Sequence, residues 1–303
     1  MMPVRRLTLL TNPDRCNLAC PLCFLHQRSK AFDMGEMPFD VARAAVERYS
    51  QLRDLDGNLV LEEVIPSTMG EPLLYSKFRE LLGLCLSLSI PLNLTTNGTF
   101  PLGWGDESDM QLLLRSCRDI KISCMGFDSC TVDEMMGGAL FNQWKANVEK
   151  LVCVRKNCCE NVIFRDCGVS TVSLQVTLHK KNVEQARNIL MWAESIGIAR
   201  VKWNVAYFLE RASDDLKKRY ALDDETIAVL REELHSDKVL CEGSLFFNDQ
   251  ECVDVSNLEC PFRDEIWVYP DGSEDHCPHP EHRFGKGMKN LCKSCFMKRV
   301  LIK

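Results

Sequence analysis

The feature that most restricts the fold of this 303-residue chain is a repeated alternation of short apolar runs with longer amphipathic segments. Regular alternation of this kind predicts parallel strands joined by crossover helices. Six units are too few to close an eight-stranded barrel, so we predict an α/β fold with an open, partial (β/α)6 barrel. The predicted strands span residues 6–11, 59–65, 92–95, 120–123, 172–178 and 200–207, and the predicted helices between them span 38–55, 74–88, 110–116, 141–154 and 183–195. Gly197 is predicted to stop the last of these helices.

The pattern changes after residue 207. Residues 210–224 are rich in charge and are predicted to form a solvated linker, followed by a helix over 225–235. From about residue 241 the chain is rich in loops, and Pro270-Asp271-Gly272 predicts a hairpin turn between two short strands. We therefore predict three regions: a barrel over 1–208, a linker and helix over 209–240, and a small loop-rich α+β domain over 241–303.

Composition narrows the functional classes. Hydrophobic residues make up 46% and charged residues 26%, as in soluble globular proteins. No run of 18 uncharged apolar residues appears, which argues against a transmembrane helix, and the first residues do not resemble a secretory signal. We therefore expect a cytoplasmic protein with no membrane partner. A formal net charge of −6, without a long basic block, argues against a general nucleic-acid binder.

The chain has 17 cysteines, an odd count that does not suit a secreted disulfide scaffold. Cys16, Cys20 and Cys23 follow the first predicted strand with the spacing CxxxCxxC. A 4Fe–4S cluster normally takes four cysteines, and the next one, Cys85, lies far along the chain. Three thiolates would leave one iron open to a small ligand. The alternatives are a zinc site or a four-cysteine ferredoxin loop, although the spacing matches neither.

The motif resembles that of radical S-adenosylmethionine (SAM) enzymes, which carry CxxxCxxC in the loop after the first strand. Over residues 1–208, further segments follow in the order of that family. Gly70-Glu71-Pro72 resembles the segment whose backbone and carboxylate hold the amino group of SAM. The other SAM contacts that the resemblance implies are Asn97, Ser123, Gln175, Asn204 and Phe24. The family often has an aromatic residue just before the third cysteine, whereas here that residue is Leu22 and Phe24 follows the cysteine.

The resemblance implies a specific chemistry. In this family the open iron binds SAM, and one electron cleaves it to methionine and a 5′-deoxyadenosyl radical. The radical then takes a hydrogen atom from an unactivated carbon, while the protein positions and shields it. A flavodoxin- or ferredoxin-type protein is the expected electron donor.

A second group of cysteines lies near the carboxyl end. Cys260, Cys277, Cys292 and Cys295 supply four thiolates, enough for one further 4Fe–4S cluster. Their arrangement resembles the twitch domain, the shortened form of the SPASM auxiliary-cluster domain found behind radical SAM barrels. The expected cofactors are therefore SAM and two 4Fe–4S clusters. The alternative is a zinc site with the same ligands, joined by His276 or His279.

The remaining cysteines suggest a reaction. Cys252, or alternatively Cys241, precedes the second group in a segment expected to cross the barrel mouth. A thiol there would donate a hydrogen atom to a substrate radical from the opposite face, which inverts the carbon. Residues 121–147 resemble a stretch in aminoglycoside epimerases, so the leading hypothesis is a radical SAM epimerase of a sugar or aminoglycoside. Acidic residues near strand ends would meet a cationic amino sugar or lie in solvent: Glu62, Glu63, Asp128, Asp133 and Glu134.

Three alternatives stay open at this stage. The first is a dehydrogenase of a sugar alcohol, in which the second cluster accepts an electron. The second is a maturase of ribosomal peptides that forms epimers or thioethers. Such enzymes commonly carry a leader-binding domain, and the segment before Cys16 is expected to be too short for one. The third is a cluster-bearing sensor without turnover.

Overall fold

The computed structural model describes residues 4–27, 33–67, 69–158, 170–247, 259–284, 291–293, 295, 297 and 298. The strands in this part of the chain are β1 (Arg6–Leu9), β2 (Glu63–Pro66), β3 (Leu92–Thr96), β4 (Cys117–Cys124), β5 (Thr171–Leu178), β6 (Arg200–Val205), β7 (Leu240–Glu242), β8 (Glu265–Val268) and β9 (Glu274–Asp275). They form one sheet in the linear order β7-β6-β5-β4-β3-β2-β1-β8-β9, parallel throughout except for the β8–β9 hairpin. The described sheet is open, and the predicted partial α/β barrel is confirmed.

Alternation along the strands separates an apolar outer face from a polar inner face. In β5, Val172, Leu174 and Val176 are buried against the outer helices, whereas Ser173 and Gln175 take the opposite face because successive side chains alternate. The same alternation on the other barrel strands leaves polar and charged side chains toward the barrel interior. The inner wall is therefore available for ligands.

The helices cover the outer face of the sheet. Among those described, none is long and apolar enough to span a membrane. The helix over residues 186–196 ends at Gly197, as the sequence predicts, because this glycine takes the left-handed conformation with φ +86°. The helices are α1 (Phe24–Gln27), α2 (Phe39–Ser50), α3 (Phe78–Ser87), α4 (Glu107–Ser116), α5 (Ser129–Met135), α6 (Phe141–Cys158), α7 (Ala186–Ile196), α8 (Asp214–Tyr220), α9 (Asp224–Glu233) and α10 (Pro280–Phe284).

The charged segment predicted to be a solvated linker contains helix α8, so that prediction was wrong. The Ser213 side chain caps the helix by accepting a hydrogen bond from the Leu216 N–H. Asp214 and Asp215 occupy the first turn, and basic residues occupy the last turn, an arrangement that favours the helix dipole. The charges that suggested a linker thus stabilise a short helix.

Two strands from the C-terminal region extend the barrel sheet at its ends. Strand β7 pairs in parallel with β6, and β8 pairs in parallel with β1. Across the second junction, the Thr8 hydroxyl donates to the Glu265 carboxylate at 3.0 Å. The hairpin predicted around Asp271 is present as β8 and β9, with Gly272 at φ +83°. The C-terminal region therefore shares the barrel sheet, and its division into a separate domain stays a prediction.

Candidate active site

A cavity of about 370 Å³ opens at the carboxyl ends of the barrel strands, where parallel α/β folds usually bind ligands. It is lined by the loop after the first strand and by residues at or just beyond the carboxyl ends of the other five predicted strands. The structure brings all three cysteines of the motif and all seven predicted SAM contacts to this one cavity: Cys16, Cys20, Cys23, Phe24, Gly70, Glu71, Asn97, Ser123, Gln175 and Asn204.

The three cysteines lie in the loop between β1 and α1 and are partly exposed to the cavity. Burial, together with smaller effects of the neighbouring Cys23 and Cys16 thiols, raises the pKa of Cys20 to about 12. Such thiols become thiolates when a metal centre supplies the compensating charge. Cys85 is fully buried in α3 and does not line the cavity. The donor set therefore fits a cluster held by three thiolates.

This loop is joined to the Gly70-Glu71 segment by backbone contacts. The Glu71 N–H donates to the Arg15 carbonyl at 2.9 Å, and the Asn12 side chain donates to the Glu71 carbonyl at 2.7 Å. Gly70 has φ +74°, and a Cβ at this position would lie 2.4 Å from the backbone oxygens of both Arg15 and Asn12. Only glycine both adopts this positive φ without strain and leaves room for the two backbone oxygens. The close approach fixes the cysteine loop over the end of β2.

The Glu71 carboxylate is buried beneath the cavity wall. It accepts hydrogen bonds from the Thr96 hydroxyl at 2.7 Å, the Asn97 N–H at 2.8 Å and the Leu73 N–H at 3.2 Å. Burial outweighs these bonds and raises the pKa of Glu71 to about 7. The carboxylate thus links the end of β2 to the end of β3. The family resemblance implies that this carboxylate holds the amino group of SAM, but here it already accepts hydrogen bonds from three protein donors.

The Asn97 side chain connects the end of β3 to the cysteine loop. Its amide donates to the Asn17 side chain at 2.9 Å, and its carbonyl oxygen accepts from the Thr99 N–H at 2.9 Å. The same amide lies 3.9 Å from the Cys16 sulfur. The predicted strand-three residue therefore contacts the Cys16 thiol.

Several lining residues were missed by sequence reasoning. Met125 follows β4, and its carbonyl oxygen is held by the His179 ring at 2.9 Å and by the Asn182 amide at 3.2 Å. Tyr207 follows β6 and packs edge-on against Phe24, with ring centroids 6.2 Å apart. These two residues could have been found from the sequence because each follows a barrel strand. The other missed lining residues are Leu18, Leu22, Ser67, Met69, Thr95, Thr96, Met136, Thr177, Val205 and Ala206.

The thiols of the C-terminal cysteines influence one another electrostatically. Burial raises the pKa of Cys277, and the thiols of Cys292 and Cys295 raise it further. Burial also raises the pKa of Cys295, where Cys260 and Cys292 act in the same direction. All four predicted ligands therefore interact electrostatically. In the described ranges, no group of three or more His, Cys, Asp or Glu side chains is arranged to hold a single metal ion.

A buried arginine stands beside these cysteines. The Arg283 side chain has no exposed surface, and it lies over the Trp267 ring at 4.0 Å. Among the described residues, its Nε and Nη2 groups have no hydrogen-bond partner, and its Nη1 lies 3.6 Å from the Asp275 carboxylate. Its charge offsets part of the rise in the pKa of Cys277. Buried N–H donors on a cation beside Cys277 fit an anionic iron–sulfur cluster.

Of the two thiols predicted to donate hydrogen, Cys252 lies outside the described residues. Cys241 lies on β7, in register with Val201, and is not among the residues that line the cavity. The remaining described cysteines are either buried in the core or exposed on outer helices. Cys85, Cys117 and Cys124 are buried, whereas Cys130 and Cys153 are exposed.

The fold and the cavity define an open α/β barrel with a cysteine loop across its mouth. Among solved structures of this fold, Streptococcus suis SuiB matches with a TM-score of 0.62 and 16% identity, over 97% of this chain and 65% of SuiB. The structure described as native anSMEcpe with bound AdoMet matches with a TM-score of 0.62 and 16% identity, over 97% of this chain and 87% of its own. The chain thus spans just under two thirds of SuiB, and identities at this level show a shared fold. No protein-family model and no curated protein sequence matches the chain.

Proposed function

We propose that the protein is a radical SAM enzyme. The observation that carries this proposal is the convergence of Cys16, Cys20 and Cys23 with the seven predicted SAM contacts on one cavity. Solved structures of the same fold contain SAM, namely SuiB bound to S-adenosylmethionine and anSMEcpe with bound AdoMet. When bound, the cluster supplies one electron that cleaves SAM to methionine and a 5′-deoxyadenosyl radical.

The residues of this chain would orient SAM and exclude water. Cys16, Cys20 and Cys23 would hold three irons, and the backbone at Gly70 would meet the amino end of SAM. Ser123, Gln175 and Asn204 present hydroxyl and amide groups to the cavity, which suit ribose and adenine. Apolar residues between these groups, including Met125, Met136 and Tyr207, would keep the reacting centre dry.

The test is anaerobic reduction of the reconstituted protein in the presence of SAM, with 5′-deoxyadenosine and methionine measured by mass spectrometry. We expect both products from the native chain and none from Cys20→Ala. Cys130→Ala is the matched control, because this exposed thiol does not line the cavity. Failure of the native chain to form 5′-deoxyadenosine, or equal rates for Cys20→Ala, would refute the proposal and favour a sensor without turnover.

We also propose a second 4Fe–4S cluster on Cys260, Cys277, Cys292 and Cys295, supported by their mutual electrostatic contact and by Arg283. Two clusters require eight irons per chain. Cys292→Ala with Cys295→Ala should halve the iron content while leaving the absorption of the first cluster. Unchanged iron content, or stoichiometric zinc in the native protein, would contradict this assignment.

The finer hypothesis is epimerisation of a sugar with Cys252 as hydrogen donor. The substrate C–H bond would break as the 5′-deoxyadenosyl radical takes the hydrogen atom and becomes 5′-deoxyadenosine, leaving a substrate radical. The thiol S–H bond then breaks, and the hydrogen atom joins the opposite face of the carbon. One electron and one proton, from the second cluster or a flavodoxin- or ferredoxin-type donor, restore the thiol. One deuterium at the inverted carbon of product formed in D₂O would support this reaction. If Cys252→Ala still forms the same deuterated, inverted product, Cys252 is not the hydrogen donor.

Peptide modification is the second candidate. SuiB has been solved with the precursor peptide SuiA, and anSMEcpe with the Kp18Cys peptide, so two proteins of this fold have been seen with peptides. Loss of two hydrogens from a sugar alcohol, in contrast, would indicate a dehydrogenase. Mass and stereochemistry of the product distinguish epimerase, dehydrogenase and peptide maturase.

A further inference from the structure

A short segment after β6, residues 207–210, lies between the cavity and the C-terminal region. Tyr207 lines the cavity, whereas Leu209 is fully buried. Leu209 belongs to a small apolar cluster separate from the main core, whose other buried members are Leu10, Met69 and Trp267. These members come from the chain after β1, from the segment before Gly70 and from β8. The segment 207–210 is therefore packed against both the barrel mouth and the C-terminal region.

Gln27 ties this segment to the cysteine loop. It lies on α1, which begins directly after Cys23. Its side-chain oxygen accepts a hydrogen bond from the Leu209 N–H at 3.0 Å, and its amide donates to the Tyr207 carbonyl at 3.4 Å. The same amide also donates to the Leu22 carbonyl at 2.9 Å. One buried side chain thus joins the segment to the loop that carries the three proposed cluster ligands.

Glu281 ties the same segment to the second cysteine group. It lies on α10, four residues after Cys277, and it is only 2% exposed. Its carboxylate accepts a hydrogen bond from the Glu210 N–H at 2.5 Å and a second one from the Tyr207 hydroxyl. Hydrogen bonds to a buried carboxylate are costly to lose, because water does not replace them. The position of α10 therefore fixes two points of the segment.

The Tyr207 ring stands where the two regions meet. It packs edge-on against Phe24 of α1, with ring centroids 6.2 Å apart, and against His279 of the C-terminal region, at 6.1 Å. Burial, together with smaller effects of the Glu281 carboxylate and the Cys295 thiol, raises the pKa of Tyr207 to about 12. Tyr207 thus belongs to the cavity wall and also adjoins the second cysteine group.

We propose that Glu281 is a positioning residue, which transmits the arrangement of the second cysteine group to Tyr207 on the cavity wall. This inference rests on the proposed function, because it takes the cavity as the place where SAM binds. Glu281 is not among the residues that line the cavity, so it acts through the Tyr207 hydroxyl and the Glu210 N–H. When the cysteine group is incomplete, α10 shifts, both bonds weaken, and the wall at the end of β6 loses its support.

The first test follows Tyr207 in the full chain with its clusters reconstituted and without SAM. The five tyrosines are replaced by 3-fluorotyrosine, and the ¹⁹F NMR signal of Tyr207 is assigned with Tyr207→Phe. We expect Glu281→Leu to shift this signal. Glu281→Gln should leave it near the native position, because the amide can accept from the Glu210 N–H and donate to the tyrosine oxygen. His282→Ala is the matched control, since this exposed neighbour on α10 pairs with Asp275 at 2.8 Å.

The second test measures SAM affinity by isothermal titration calorimetry without reductant, at matched occupancy of the first cluster. Glu281→Leu should bind SAM about tenfold more weakly, the order expected for loss of one buried hydrogen bond. Tyr207→Phe, which removes only the hydroxyl, should weaken binding in the same direction. Cys292→Ala with Cys295→Ala should cause a similar loss, and should add little to the loss in Glu281→Leu, because both changes act through the same contact.

Three results would overturn the proposal. One is a Tyr207 signal that Glu281→Leu does not move, or moves no more than His282→Ala does. Another is native SAM affinity in the variant that lacks Cys292 and Cys295. The third is full multiplication of the two losses in the combined variant, which would show that the cysteine group and Glu281 act independently. The ¹⁹F measurement needs neither SAM nor turnover, so it can fail while the native chain forms 5′-deoxyadenosine, whereas a native chain that forms none would refute the proposed function instead.

Discussion

Replacing Gly70 by alanine tests the contact that fixes the cysteine loop to the end of β2. The new Cβ would lie 2.4 Å from the carbonyl oxygens of Arg15 and Asn12. That distance is about 1 Å short of ordinary van der Waals contact, and both neighbours are backbone atoms that yield only if the loop moves. Cys16 follows Arg15 directly, so the displacement reaches the first of the three proposed cluster ligands.

Gly70→Ala is expected to lose both folding stability and catalytic rate. Holding alanine at φ +74° costs about 1–3 kcal/mol of folding free energy. The clash adds a loop displacement, and misplacement of reacting groups by about 1 Å is enough to cost roughly 100-fold in rate. We therefore expect Gly70→Ala to form 5′-deoxyadenosine about 100-fold more slowly than the native chain under the same reductant.

Gly57→Ala is the matched control, because Gly57 also has a positive φ, +82°, but no atom lies within 4 Å of the position that a Cβ would take there. It should show the conformational cost alone, a fall in the melting temperature of roughly 2–4 °C per kcal/mol with an unchanged rate of 5′-deoxyadenosine formation. Thermal melting of both variants measures the conformational strain, and single-turnover assays of 5′-deoxyadenosine formation measure the effect of the loop displacement. Equal rates for Gly70→Ala and Gly57→Ala would refute the proposed coupling between the two loops.

Three further predictions concern buried charged or titratable groups. Burial raises the pKa of Glu71 from 4.5 to about 7, so stability should fall as pH rises from 4.5 to 7, and thermal melting of Glu71→Gln should lack this slope. Burial lowers the pKa of His179 from 6.5 to about 4; stability should therefore fall as pH drops from 6.5 to 4, and a His179→Gln variant that keeps this acid slope would contradict the assignment. Arg283→Leu should lower the midpoint potential of the second cluster, followed by redox titration in a Cys16→Ala background, because loss of a cation disfavours the reduced cluster. Arg79→Leu is its control, since Arg79 also stacks on a tryptophan, at 4.2 Å, and an equal shift in both variants would exclude a local effect.

The barrel was predictable because its signals are local. Strand alternation, helical spacing and the stop at Gly197 depend on neighbours in sequence, and each appears in the structure. The convergence of the cysteine motif with Glu71 and Asn204 also follows from topology, since parallel strands end at the same edge. The roles of these residues toward SAM stay predictions.

The features that sequence reasoning missed depend on distant parts of the chain. Strand β8 joins β1 across 257 positions, from Thr8 to Glu265, and no local pattern encodes that pairing. Helix α8 was misread because its charges were taken as a sign of solvation, whereas their order along the helix is what stabilises it.

The pairing of β8 with β1 has a consequence for biosynthesis. While the chain emerges from the ribosome, β1 is made about 250 residues before β8, one of its two partners. Until then β1 presents an unpaired edge, which is prone to pair with other nascent chains. Closure of that edge would also bring Cys260 and Cys277 toward the barrel, so any metal bound by the second cysteine group would form its site only after β1 has found its partner.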